Sequence, residues 1–247
     1  MNLRAAEPRG PTERATLVVF AKAPRPGQVK TRMCPPFTPE RAAALYEHML
    51  DDVLAASAAH CAELALDGVV AVHPPEACGE IASRCPKGFR VVAQQGGDLS
   101  QRMTRAVAES AAAGVPRVLL RSSDSPLLDV ATLREALDEL GRVELVICPD
   151  LGGGYNLVGL SGPAPGLFDH PMSTRSVLDD TLANARALGL RSRVLAPSPD
   201  VDRAVDLAEL ERARDTPRGQ LCPRTLAFLD EHDLWHASLR HTSHTSD

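Results

Sequence analysis

One pattern limits the possible folds of this chain more than any other. Short β-branched or apolar runs take turns with longer stretches of helical periodicity from Thr16 to Leu234. Thr16–Phe20 (TLVVF) reads as a buried first strand. Further strands are expected at Leu64–Val72, Phe89–Ala93, Arg117–Leu120, Leu145–Cys148, Tyr155–Gly159 and Arg193–Leu195. Helices are expected at Pro39–Ala59, Pro75–Arg84, Leu99–Ala113, Val130–Leu140, Thr174–Leu188, Arg203–Arg212 and Leu221–Leu234. In the first helix Leu45, Met49 and Val53, with Leu50 and Leu54 beside them, form one apolar stripe. Strand then helix, repeated, predicts a single Rossmann-like α/β domain with a mostly parallel central sheet and helices on both faces. Such sheets take ligands beyond the carboxyl ends of their strands, where strand order switches. The loops after the strands are therefore where chemistry is expected.

The two ends break the pattern. Residues 1–15 are polar and rich in Pro and Arg, which reads as a flexible arm. Residues 236–247, carrying HTSHTSD, read as a disordered tail, leaving 16–235 as the folded domain. A formal charge of -5 argues against partnership with nucleic acid or an anionic membrane. No apolar run approaches the ~20 residues of a membrane span. The six cysteines include no Cys-x-x-Cys pair and read as reduced, mostly buried thiols, so a cytoplasmic protein is expected. Apolar surface on the Tyr155–Leu160 strand or the final helix is the candidate dimer contact, with monomer and homodimer both open.

The loop after the first strand, AKAPRPGQVKTR, concentrates Lys22, Arg25, Lys30 and Arg32 in a net-acidic chain. Pro24, Pro26 and Gly27 keep a helix from starting early and shape a turn with exposed backbone. Backbone N–H groups and cations presented together suit a polyphosphate. Neither G-x-x-x-x-G-K-S/T nor G-x-G-x-x-G occurs, so the commonest phosphate-binding loops are not used. Ser122–Leu128 (SSDSPLL) follows another apolar run. Asp124 there, at a strand end before a helix-breaking Pro, is the first candidate for a Mg²⁺ or Mn²⁺ ligand, while Asp129 is the better helix cap.

FAKAPRPGQVKTRM, from Phe20 to Met33, resembles the opening signature of a glycosyltransferase-A-like transferase family known as DUF2064. Some of its members are described as arsenosugar-biosynthesis glycosyltransferases. More distantly, the segment is similar to that of the phospholactate guanylyltransferases. The resemblance recurs in QQGGDLSQRM, SSDSPLL, GGGYNLVGL, PMSTRSVL and DVDRAVDL, and covers roughly Thr16 to Leu210. It implies a glycosyltransferase-A fold and a nucleotide held by Lys22, Ala23, Arg25, Gly27, Lys30 and Arg32, with Gln95, Gly97 and Asp98 as base or ribose contacts. PDVDRAVDL resembles D-x-D-T-x-x-D-L, which implies Asp202 as a second metal contact. Asp202 also suits a helix N-cap, with Asp206 a solvated acid of the first turn.

Gly153, Gly154 and Tyr155 are candidates for the acceptor side, since glycines allow backbone close to a ligand. Ser173, Thr174 and Arg175, at an expected helix start, are candidates for an anionic group of the acceptor. Relatives read D-G-G-Y where this chain has Gly152, and Trp where it has Met172, so the acceptor pocket is expected to differ. Asp150, two residues upstream, is the one nearby carboxylate. The favoured expectation is Mg-dependent nucleotidyl transfer from a nucleoside triphosphate to a small phosphate-, phosphonate- or carboxylate-bearing acceptor. Lys30, Arg32 and Asp124 are then the catalytic set. Glycosyl transfer from a nucleotide sugar is the near rival, and a non-catalytic nucleotide-binding regulator a more distant one.

Overall fold

The computed structural model describes residues 14–235. Residues 1–13 of the expected arm and the whole expected tail, 236–247, lie outside the described residues, and Ala15 opens the first strand instead of closing the arm. The strands are β1 (Ala15–Lys22), β2 (Asp67–His73), β3 (Arg90–Ala93), β4 (Arg117–Ser122), β5 (Leu145–Pro149), β6 (Tyr155–Leu160) and β7 (Ser192–Val194). The helices are α1 (Pro39–Leu64), α2 (Cys78–Ala82), α3 (Leu99–Ala112), α4 (Val130–Glu139), α5 (Val177–Ala187), α6 (Leu207–Ala213) and α7 (Pro223–Glu231).

All seven strands join one sheet in the order β3-β2-β1-β4-β6-β5-β7. Neighbours are parallel except at β6, which runs antiparallel to both β4 and β5. The link from Pro149 to Tyr155 is too short for the crossover of roughly a dozen residues that a parallel pair needs. The chain steps from β1 outward to β2 and β3, then returns to place β4 on the other side of β1, so strand order switches between β1 and β4.

TLVVF is continuously apolar because β1 is covered on both faces. Leu17, Val19 and Ala21 face α1, α2 and α4, while Val18 and Phe20 face α3 and α5. Helix α1 starts where the Thr38 hydroxyl accepts the Arg41 N–H and Pro39 fills the first turn. Its stripe of Leu45, Met49, Leu50, Val53 and Leu54 is buried, each leucine contributing about 1.5–3 kcal/mol by leaving water. Buried Cys61 and Leu64 extend the stripe, so the helix runs past the expected Ala59 and stops where Ala65 turns left-handed. That displaces the start of β2 to Asp67.

Three other expectations shift. Pro75–Arg84 divides into a 3-10 turn and the short α2. Ser173 adopts φ 65, a left-handed conformation outside the α-helical range, so α5 begins only at Val177 and Ser173, Thr174 and Arg175 belong to a loop. The proposed dimer surfaces are used internally: Leu157, Val158 and Leu160 are buried in the sheet, and Phe228 and Leu229 of α7 pack against α1. Of the cysteines, Cys61, Cys148 and Cys222 are buried and Cys34, Cys78 and Cys85 partly exposed. Among the described residues no helix is long and apolar enough to cross a membrane.

Candidate active site

A cleft of about 460 Å³ lies over the carboxyl ends of β1 and β4 and the start of β6, at the switch in strand order. It opens into a broader groove of about 1190 Å³ walled by the loops around Gly153 and Ser173.

The basic loop enters the cleft through Lys30. This residue takes a left-handed conformation at φ 48 just before a 3-10 turn, Thr31–Met33, and its side chain turns inward and is buried. Its ammonium donates to Asp124 Oδ1 and, at 3.0 Å, to Asp202 Oδ1. Burial pulls the Lys30 pKa down, but Asp124 and Asp202 outweigh it and hold the ammonium above the usual lysine range. Burial likewise raises the Asp124 pKa, and Lys30, Lys22 and the Ser122 hydroxyl more than reverse it. Asp124 therefore stays ionised, and both acids remain part-exposed to the cleft. The Val201 N–H donates to the Asp124 carbonyl at 2.9 Å, stitching the two acid-bearing loops together. Arg32 approaches Asp202 Oδ2 at 3.6 Å and the Ser173 carbonyl at 3.5 Å.

Asp206 is not the solvated acid that was expected. Its Oδ2 accepts the N–H groups of Asp202 and Arg203 at 2.9 and 2.6 Å, doing the capping itself and leaving the Asp202 carboxylate free to meet Lys30. Tyr46 of α1 lies beneath both loops. Its hydroxyl accepts the Lys22 N–H at 2.9 Å and shares a hydrogen bond of 2.8 Å with Ser123. Burial first, then Asp124, pushes the phenol up to about 12, so it stays a neutral hydroxyl.

On the groove side, Gly153, Gly154, Tyr155, Ser173, Thr174 and Arg175 all line the wall, as does Met172. The departure at Gly152 has a structural counterpart. Asp150 Oδ1 accepts the N–H groups of Gly152 and Gly154 at 2.7 and 2.8 Å. That oxygen lies 3.5 Å from where a Cβ on residue 152 would stand. The Asp150 carboxylate would thus lie in ordinary van der Waals contact with a side chain at 152. Nearby Asp200 is pushed up to about 7, by burial first and then by Asp202 and Asp150.

Several expected contacts are not brought into the cleft. Ala23 is buried and donates its N–H to the His73 carbonyl, while Arg25 and Gly27 sit in the turn outside the lining. Gln95 borders a neighbouring cavity instead. Asp98 caps α3 by accepting the Gln101 N–H at 2.8 Å, and the Gly97 N–H is taken by the Gln101 side chain. Gln94 and Arg102 line the cleft in their place. The Gln94 amide donates to the carbonyls of Ala21 and Ala71, which fixes its orientation. Both stand within the QQGGDLSQRM segment, but β3 and α3 must be placed before their direction is known.

Among the described residues no group of three or more His, Cys, Asp or Glu is arranged to hold a metal ion. The donor chemistry still fits a hard divalent cation. Asp124 and Asp202 each use one oxygen on Lys30 and retain lone pairs toward the cleft, and Mg²⁺ commonly takes one or two carboxylates with phosphate and water completing its shell.

Fold and cleft together define a nucleotide-handling transferase of the glycosyltransferase-A type, and the chain is an enzyme rather than a regulator. It belongs to the DUF2064 family, uncharacterized proteins conserved in bacteria, whose model matches residues 53–174. It is 30% identical over 192 residues to the 2-phospho-L-lactate guanylyltransferase of Methanothermobacter thermautotrophicus, covering 73% of this chain and 78% of that protein. A protein of Desulfovibrio desulfuricans G20 assigned as a nucleotide-diphospho-sugar transferase superposes with a TM-score of 0.77 at 30% identity, covering 90% of this chain and 96% of that one. A cytidylyltransferase from Leptospira borgpetersenii shares the fold alone, with a TM-score of 0.51 at 12% identity, over 89% of this chain and 95% of that one.

Proposed function

We propose that the chain joins a nucleoside triphosphate to a small anionic acceptor, releasing pyrophosphate. The observation that carries this reading is the convergence of Asp124 and Asp202 on Lys30 at a cleft bordered by further cations. Asp124 and Asp202 would hold Mg²⁺ or Mn²⁺, which when bound supplies positive charge to the α-phosphate. Lys30 keeps the two carboxylates at fixed separation. Arg32, exposed at the junction of cleft and groove, is placed to offset charge gathering at the α-phosphate as the acceptor attacks. Thr174 and Arg175 offer donors to an acceptor lying across the glycine loop. An acceptor that is already a phosphate or carboxylate attacks without a general base. The likeness to a guanylyltransferase makes GTP the first triphosphate to test and a phosphorylated carboxylic acid the first acceptor.

A second reading, glycosyl transfer from a nucleotide sugar, is favoured by the likeness to the Desulfovibrio protein. Release of pyrophosphate from each nucleoside triphosphate, with Mg²⁺ and a panel of small anionic acceptors, decides between them. Turnover with a triphosphate, abolished in Asp124→Asn, is the expected result. Consumption of a UDP- or GDP-sugar with no triphosphate accepted overturns it.

A further inference from the structure

Four cations reach the open cleft: Lys22, Lys30, Arg32 and Arg102. A fifth, Arg121, is buried in the floor on Ser57 and the Ser125 carbonyl. Lys30 and Arg32 are engaged by Asp124 and Asp202, two positive charges against two negative. Lys22 and Arg102 have no carboxylate partner among the described residues.

Arg102 lies on the cleft-facing first turns of α3. Its guanidinium NH1 is 3.3 and 3.4 Å from the ring nitrogens of His73 at the end of β2, and its Nε is buried without an acceptor. Lys22, the last residue of β1, pairs in register with His73 of β2, and β1 lies between β2 and β4 in the sheet. In sheet order Lys22 therefore lies between His73, which Arg102 approaches, and the end of β4 that leads to Asp124. Beyond Asp202 the broader groove is of mixed sign, with Asp150, Asp206 and Glu209 on its wall beside Arg175, Arg203 and Arg212. A chain of linked phosphates anchored near Asp124 gains more by running toward Lys22 and Arg102, whose charges no described carboxylate answers, than by running into the mixed-charge groove. A planar guanidinium short of acceptors suits a phosphate's paired oxygens.

We propose that Lys22 and Arg102 form an anion subsite that takes the phosphate groups lying farther from Asp124. The proposal rests on the nucleotide-handling reading above only in taking the ligand to be a phosphate chain. The test is calorimetric titration of the full chain with Mg²⁺ and inorganic pyrophosphate, GTP, CTP, UDP-glucose and GDP-mannose. Lys22→Gln and Arg102→Gln are each expected to weaken binding at least about tenfold, the effect of losing a charge-assisted hydrogen bond. Arg105→Gln, an equal charge change on the same helix outside the cleft, is expected to stay within about twofold on the same scale. Arg102→Lys, which keeps the charge without the fork, is expected to fall between.

Melting temperatures identify which Arg102 variants keep the fold. Wild-type affinity in whichever of them does so overturns the subsite. Binding of nucleotide sugars but of no triphosphate defeats the nucleotidyl reading, while the subsite is judged on those ligands by the same criterion. Binding of none of the five overturns both.

Discussion

A single hydroxyl, that of Tyr46, spans the gap between the basic loop and the loop of Asp124. Tyr46→Phe leaves the Lys22 N–H and the buried Ser123 hydroxyl short of a partner. Urea unfolding is expected to show a loss of about 1–2 kcal/mol, with turnover falling further than the unfolded fraction explains. Lys30 is a sharper case. A lysine in a turn with exposed backbone would be replaced by Ala with little loss of stability. Buried between two acids, Lys30 is instead expected to cost about 1–3 kcal/mol on replacement by Met or Ala, the low end reflecting water's access to both carboxylates. Each charge was legible as a residue type in a suggestive loop. Their pairing was not, because it depends on β4 lying beside β1 and on Asp206 taking over the cap. Gln94 and Arg102 were missed for the same reason, and the QGG segment pointed one residue too far along.

Among the elements, the glycine loop before β6 and the Ser173 loop are built against each other. A Cβ on Gly153, at φ +99, would stand 2.2 Å from the Arg175 carbonyl oxygen. Gly27, at φ +74, has open space around it. Gly153→Ala is therefore expected to cost about 2 kcal/mol or more and to displace the groove wall, while Gly27→Ala costs only the backbone term of about 1 kcal/mol. Paired thermal melts check this contrast. Long, strongly periodic elements such as α1 and α3 were legible from spacing alone. The start of α5 was not, since Ser-Thr before an apolar run describes both a helix cap and a turn, and only the reversed backbone at Ser173 separates them. The antiparallel course of β6 was implicit in the shortness of the glycine segment.

For the molecule as a whole, acid stability depends on a group remote from the proposed chemistry. His60 of α1 is buried, its Nδ1 has no partner, and burial first, then Arg121, lowers its pKa to about 4. The unfolded chain takes up this proton below about pH 6.5, whereas the folded chain resists it until about pH 4. This contribution is present above pH 6.5 and is lost as pH falls through that window, amounting to about 2 kcal/mol by pH 5. His60→Leu is expected to flatten that part of the profile in urea melts at pH 7.5 and 5. The antiparallel seam between β4 and β6 has an evolutionary corollary. On the reading proposed above, the segment before it carries the donor site and the loops after it the acceptor wall, while Asp202 crosses back to Lys30, the Val201 N–H to the Asp124 carbonyl and α7 to α1. On that reading, change confined to the Gly153 and Ser173 loops would alter the recipient while sparing the Lys30–Asp124 pair.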